Sequence, residues 1–210
     1  MDLNYLVHIA AVSGGILYLM FIILLVSLYV IIDRLWYLHK VYVEGLEIGR
    51  SVAQMTKLDR TELARIAEEK ADMPQAALIQ VPVNYPDIKD PTEFAERIEE
   101  AIMTNAPKTD RGLWILDTLV TMAPLLGLLG TIIGIFQSFQ VLGNPGTAPT
   151  AVTGGVAEAL VATAAGLFIA IISMVFYNGL TNRARIVLHH METIKAILVN
   201  RLRAETARRS

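Results

Sequence analysis

Two apolar blocks, roughly 9–32 and 113–182, alternate with two charged ones, 33–111 and 183–210, so the chain divides itself between lipid and water. Residues 9–32 hold 24 uncharged positions. As a helix rising 1.5 Å per residue they extend about 36 Å, enough to cross a hydrocarbon layer of roughly 30 Å with some tilt. The preceding residues carry no Lys or Arg and no Ala-x-Ala cleavage site follows, so this block reads as a retained span rather than a leader. From Leu17 its residues are almost all bulky, without a repeated stripe of small ones, which leaves much of the helix free to face lipid. Asp33-Arg34 and Trp36-Tyr37 then mark an interface.

The second block contains two spans. Residues 118–142 are free of charge; the helix 113–142 is expected to take Asp110 as its N-cap and to tolerate Asp117 near its positive end. Residues 143–149, rich in Gly and Pro, form a short turn. A third span covers 150–182, interrupted by a single ionisable residue, Glu158, and its helix is expected to continue through 183–210 into water. There Val187, Met191, Ile194 and Leu198 make an apolar stripe beside Lys195, Arg201 and Arg203.

Residues 33–112 read as a water-soluble, mostly helical insertion with no run long enough to span. Asp59-Arg60-Thr61-Glu62 and Asp90-Pro91-Thr92-Glu93 fit capping boxes with acidic N-caps, and Pro74, Pro82 and Pro86 are expected to interrupt any helix between them. Of the 18 Lys and Arg, 11 lie in 33–111 and 7 in 183–210, with none in residues 1–8 or in the turn. The positive-inside rule therefore places the insertion and the C-terminus in the cytoplasm, and residues 1–8 and the turn in the periplasm. A hydrophobic content of 54% exceeds that of an average soluble domain, and the absence of cysteine excludes disulfides and thiolate metal sites.

Candidate chemistry concentrates in the second and third spans. Gly127, Gly130, Thr131, Gly134, Gln137 and Ser138 share one helical face. On the third span, stepping about 100° per residue from Glu158 collects Ala159, Ala162, Thr163, Gly166, Ala170 and Ser173 between about 40° and 140°. Leu160, Val161, Leu167, Phe168, Ile171, Ile172 and Val175 fall on the other side, facing lipid or the first span. The small faces suit close helix packing or the lining of a pore. A carboxylate at the depth of Glu158 costs on the order of 2.5 kcal/mol or more, so it calls for a cavity or a partner; as an alternative it is a structural hydrogen-bond donor held neutral. Thr131 and Thr163 are equidistant from the turn centre, so an antiparallel hairpin sets both hydroxyls at one depth, with Glu158 about 7.5 Å nearer the outer surface. Each threonine can equally bond back to its own helix. No Gly-x-Ser-x-Gly or His-Glu-x-x-His motif is present, which argues against an intramembrane hydrolase, and His39, His189 and His190 read as solvated or interfacial rather than metal-ligating. Neither a catalytic residue, a metal nor a cofactor is implied, and nothing demands nucleic acid. The tail, net +5, suits an inner-leaflet or subunit-packing surface.

The stretches 121–136, Thr-Met-Ala-Pro-Leu-Leu-Gly-Leu-Leu-Gly-Thr-Ile-Ile-Gly-Ile-Phe, and 155–167, Gly-Val-Ala-Glu-Ala-Leu-Val-Ala-Thr-Ala-Ala-Gly-Leu, resemble the proton channel signature of the MotA/TolQ/ExbB family, most of all its ExbB and TolQ branches. The resemblance is detailed over about 115–182, while the insertion keeps little recognisable motif. It implies an all-α membrane protein with long cytoplasmic helical extensions, assembling as a pentameric bundle in the bacterial inner membrane. It also implies a dimeric single-span partner of the ExbD/TolR kind, bearing an essential Asp, inside the pore, and a periplasm-spanning protein of the TonB or TolA kind driven by the proton motive force. Glu158, Thr131 and Thr163 occupy the positions that the resemblance assigns to the proton path. TonB-type uptake and Tol-type envelope maintenance share the motif, and a non-conducting scaffold is the remaining alternative.

Overall fold

The computed structural model describes residues 15–142 and 149–209, and every element among them is helical: α1 (Ile16–Gln54), α2 (Arg60–Glu69), α3 (Pro74–Asn84), α4 (Pro91–Asn105), α5 (Pro107–Asp110), α6 (Leu113–Leu142) and α7 (Pro149–Arg209). Helices α1, α6 and α7 are long and apolar enough to cross a membrane. The expectations for residues 1–8, for the start of the first span and for most of the turn, 143–148, lie outside the described residues.

The expected capping acids do their work. Asp59 Oδ1 accepts from the backbone of Thr61 (3.0 Å) and Glu62 (3.3 Å), and Asp90 Oδ1 from Thr92 (3.0 Å), so orphan amides at the starts of α2 and α4 are satisfied. Two local expectations are corrected. Pro82 lies inside α3, in its last turn, instead of interrupting it; Pro74 opens α3, and Pro86 follows its end. Asp110 closes α5 instead of capping α6, because Gly112, at φ +77, occupies the left-handed region between them.

The chain forms two compact units. The membrane unit comprises 15–33, 112–142 and 149–179, and the charged unit comprises 34–111 and 180–209. In the charged unit the apolar stripe of α7 is core: Val187, Met191, Ile194 and Leu198 are at most 1% exposed and join Val41, Ile48, Leu63, Ile79, Phe94 and Ile98. Each such side chain contributes roughly 1.5–3 kcal/mol on burial. Gln75 is fully buried there, its amide nitrogen donating to the Val41 carbonyl (3.4 Å), and Gly45 leaves the room that amide fills. Lys70 bridges Glu44 and Glu47, and Lys195 pairs with Glu99, tying α7 to α4. His190 is half-buried with its ring 5.6 Å from that of Tyr42, rather than solvated.

In the membrane unit α1 buries Ile16, Met20, Ile23, Ser27, Val30 and Ile31, a narrow stripe recurring every three or four residues, while Phe21, Ile22, Tyr29 and Ile32 stay exposed. On α7 the bulky side does not receive α1. Leu160, Val161, Leu167, Phe168, Ile171 and Val175 are exposed, whereas Ile169 and Ala165 pack with Ile16, Met20 and Ile23 of α1. Both neighbours of α7 thus sit on its small-residue side.

Candidate proton path in the membrane unit

The buried positions of α6 run Leu113, Leu116, Leu119, Ala123, Gly127, Gly130, Thr131, Gly134 and Ser138, one stripe whose side chains shrink along the helix. It faces Ala159, Ala162, Gly166 and Ala170 on α7, also buried. The fit leaves no room for larger residues. A Cβ on Gly127 would lie 2.8 Å from the carbonyl oxygen of Ala162, one on Gly130 would lie 2.8 Å from the Ala162 Cβ, and one on Gly166 would overlap the Ala123 carbonyl. Backbones approach this closely only where side chains are absent. Farther along, a Cβ on Gly155 would overlap the Ser138 hydroxyl, which bonds to the Gly134 carbonyl (2.8 Å).

Against this close contact Thr131 and Thr163 meet, their hydroxyls hydrogen-bonded to each other. Thr163 Oγ1 also reaches the Gly127 carbonyl at 3.1 Å, across the helix pair. Thr131 Oγ1 reaches that same carbonyl at 3.1 Å and the Ala159 carbonyl at 3.3 Å. Each hydroxyl has one proton and two lone pairs, so the pair has more acceptors within reach than protons to give, and its donor pattern can rearrange without moving a backbone. Bonding back to its own helix is one option for Thr131. For Thr163 the partners are on the other helix.

Glu158 is half-buried on α7, beside Ala159 and about 7.5 Å along the axis from Thr163. Thr131, Thr163, Gly127, Gly130, Ala159, Ala162 and Gly166 are thus brought into one contact region, Gly134 extends the same buried stripe, and Glu158 borders it.

One polar contact escaped the sequence reading. Ser27 of α1 and Ser173 of α7 are both fully buried and share a hydrogen bond of 3.0 Å. Ser173 falls on the small face, but Ser27 is a lone hydroxyl in a bulky run; its only signal is being the one serine of the block 17–32.

The profile of the MotA/TolQ/ExbB proton channel family matches residues 60–193. A putative biopolymer transport protein, ExbB-like 3, of Synechocystis sp. is 31% identical over 157 residues, 73% of this chain and 74% of that protein. The biopolymer transport protein ExbB of Xanthomonas campestris pv. campestris is 39% identical over 89 residues, 41% of this chain and 35% of that protein. That of Aquifex aeolicus is 43% identical over 74 residues, 35% of this chain and half of that protein. With the family profile matched over more than half of its length, and a relative matched over most of both chains, the chain belongs to the MotA/TolQ/ExbB proton channel family.

Proposed function

We propose that this chain is the proton-conducting, or stator, subunit of an energy-transducing complex of the bacterial inner membrane. In this reading five copies surround a dimeric, single-span partner of the ExbD/TolR kind, and the flux drives a TonB-like periplasm-spanning protein for uptake across the outer membrane. The distribution of Lys and Arg supports a cytoplasmic location for 33–112 and 183–210, with 1–8 and 143–149 periplasmic, around spans at 9–32, 113–142 and 150–182. The ExbB names borne by the relatives favour the uptake role over Tol-type maintenance.

The observation that carries the reading is the meeting of the Thr131 and Thr163 hydroxyls over the Gly127 carbonyl, in the contact between two helices each long and apolar enough to cross a membrane. Protons reach Glu158 from the outer side, pass along water and the two hydroxyls between α6 and α7, and neutralise a carboxylate on the partner. Loss of that charge changes the partner's attraction to the surrounding helices, and the resulting movement is transmitted outward.

The test is purification of the complex from its native membrane. A single-span protein with a membrane-embedded Asp, in a ratio of two to five copies of this chain by native mass spectrometry, is the expected result. Recovery of this chain without any single-span companion would remove the proposal's central element, and a TolR-like companion would move the role to envelope maintenance.

A further inference from the structure

Some cations of the charged unit are neutralised locally. Arg65 pairs with Glu62 (2.6 Å) and Glu69 (3.3 Å), Lys70 with Glu47 (3.1 Å) and Glu44 (3.6 Å), Arg97 with Glu100 (3.2 Å), and Lys195 with Glu99. Lys57, Arg201 and Arg208 have no ion-pair partner among the described residues. These three converge on one cavity of about 300 Å³, with Leu58, Ala204 and Glu205 completing most of its wall. Three cations less one carboxylate give the lining a charge of +2.

From this convergence we infer that the cavity is a binding site for a phosphate-type oxyanion, either inorganic phosphate or a small soluble phosphomonoester. Three positive side chains around one hollow repel one another, and a dianion neutralises the lining's charge of +2 where a monocarboxylate only halves it. Arg201 is already held in place. Its Nη2 donates to the Ala53 carbonyl at 2.8 Å, so its guanidinium loses little conformational freedom on binding, and its Nε is buried without a hydrogen-bond partner. The lining has Leu58 and Ala204 as apolar wall but no aromatic ring, which suits a phosphate with a short organic group rather than a stacked base.

The same chemistry could come from a lipid headgroup, but the site's place on the helix favours a soluble source. Between Arg34, at the expected interface, and Ala53, whose carbonyl holds Arg201, α1 rises about 28 Å.

The experiment uses the full chain in phosphatidylcholine nanodiscs, titrated calorimetrically with inorganic phosphate and with glycerol 3-phosphate, with acetate as a charge control. Saturable binding of at least one phosphate compound is expected, weakened by added salt, with acetate bound at least tenfold more weakly. Lys57→Gln and Arg208→Gln, whose side chains make no hydrogen bond among the described residues, should each weaken binding about tenfold while leaving the phosphate-free melting temperature unchanged. Absence of saturable binding, or binding indifferent to both substitutions, overturns the inference. So does a thermal shift that requires phosphatidylglycerol in the disc and that phosphate does not reproduce, since the ligand would then be the lipid.

Discussion

The two units are packed on opposite plans. The charged unit buries large side chains, with Phe94, Leu63, Ile79, Ile98 and Leu198 all at most 1% exposed, and keeps its ion pairs at the rim. The membrane unit buries large side chains where α1 packs, but turns Phe21, Phe136, Phe139 and Phe168 outward, all more than half exposed, and where α6 meets α7 it buries mainly glycine, alanine, serine and threonine. In water, burial of apolar area supplies the driving force. In lipid that force vanishes between helices, and close backbone contact with a few hydrogen bonds must replace it. A fold held by small residues also leaves polar atoms room to meet, which is what Thr131 and Thr163 do.

The largest effect should come from enlarging a residue of the small face. Gly166→Leu forces a side chain into the Ala123 carbonyl and should abolish recovery of monodisperse protein by size-exclusion chromatography. Gly179→Ala, where an added Cβ meets nothing within 4 Å, should leave recovery unchanged. In the charged unit the reverse substitution is the damaging one. Phe94→Ala, which empties a site 1% exposed, should cost about 3–5 kcal/mol in denaturant titrations and expose 34–111 to limited proteolysis.

Smaller still in stability, but large in function, are the hydroxyl variants. Thr131→Val and Thr163→Val should each cost about 0.6 kcal/mol, at most about 1.7, while sharply reducing proton-driven activity. On the proposed single path through both hydroxyls, the double variant should lose little more than the worse single one, and serine at either position should largely preserve function. Full activity with valine at both positions would reduce the pair to a packing device.

The smallest expected effect is a pH dependence confined to the charged unit. Desolvation, and then the neighbouring His189, depress the His190 pKa below its usual value near 6.5. The unfolded chain therefore takes up this proton first. The contribution of neutral His190 is complete above about pH 6.5 and is lost as pH falls towards its folded pKa. His190→Gln should flatten the fall of melting temperature across that window, and an unchanged profile would assign the slope to other groups.

What was legible in the sequence followed from periodicity and punctuation. Long uncharged runs gave the three spans, Asp59 and Asp90 announced their helices, and equal distances from the turn put Thr131 opposite Thr163. Less legible were contacts that depend on which helix lies against which. The bulky side of α7 was open to either lipid or the first span, and only the packing of Ile169 and Ala165 shows α1 on the other side. Ser27 carried no periodic signal, and Gln75 finds its Val41 carbonyl across 34 residues. Asp110 looked like a cap because its residue type suits that role, but a left-handed glycine two residues later ended one helix and began another.

Glu158 is the residue on which the proposed proton path most directly depends. Proton uptake into liposomes containing the proposed complex with a single-span companion, followed with an internal pH dye under an imposed potential, should be abolished by Glu158→Ala, with the complex still assembling at wild-type stoichiometry. Glu158→Asp, one methylene shorter, should conduct at an intermediate rate. Proton uptake by the assembled Glu158→Ala complex at the wild-type rate would contradict the account and leave this carboxylate a structural role alone.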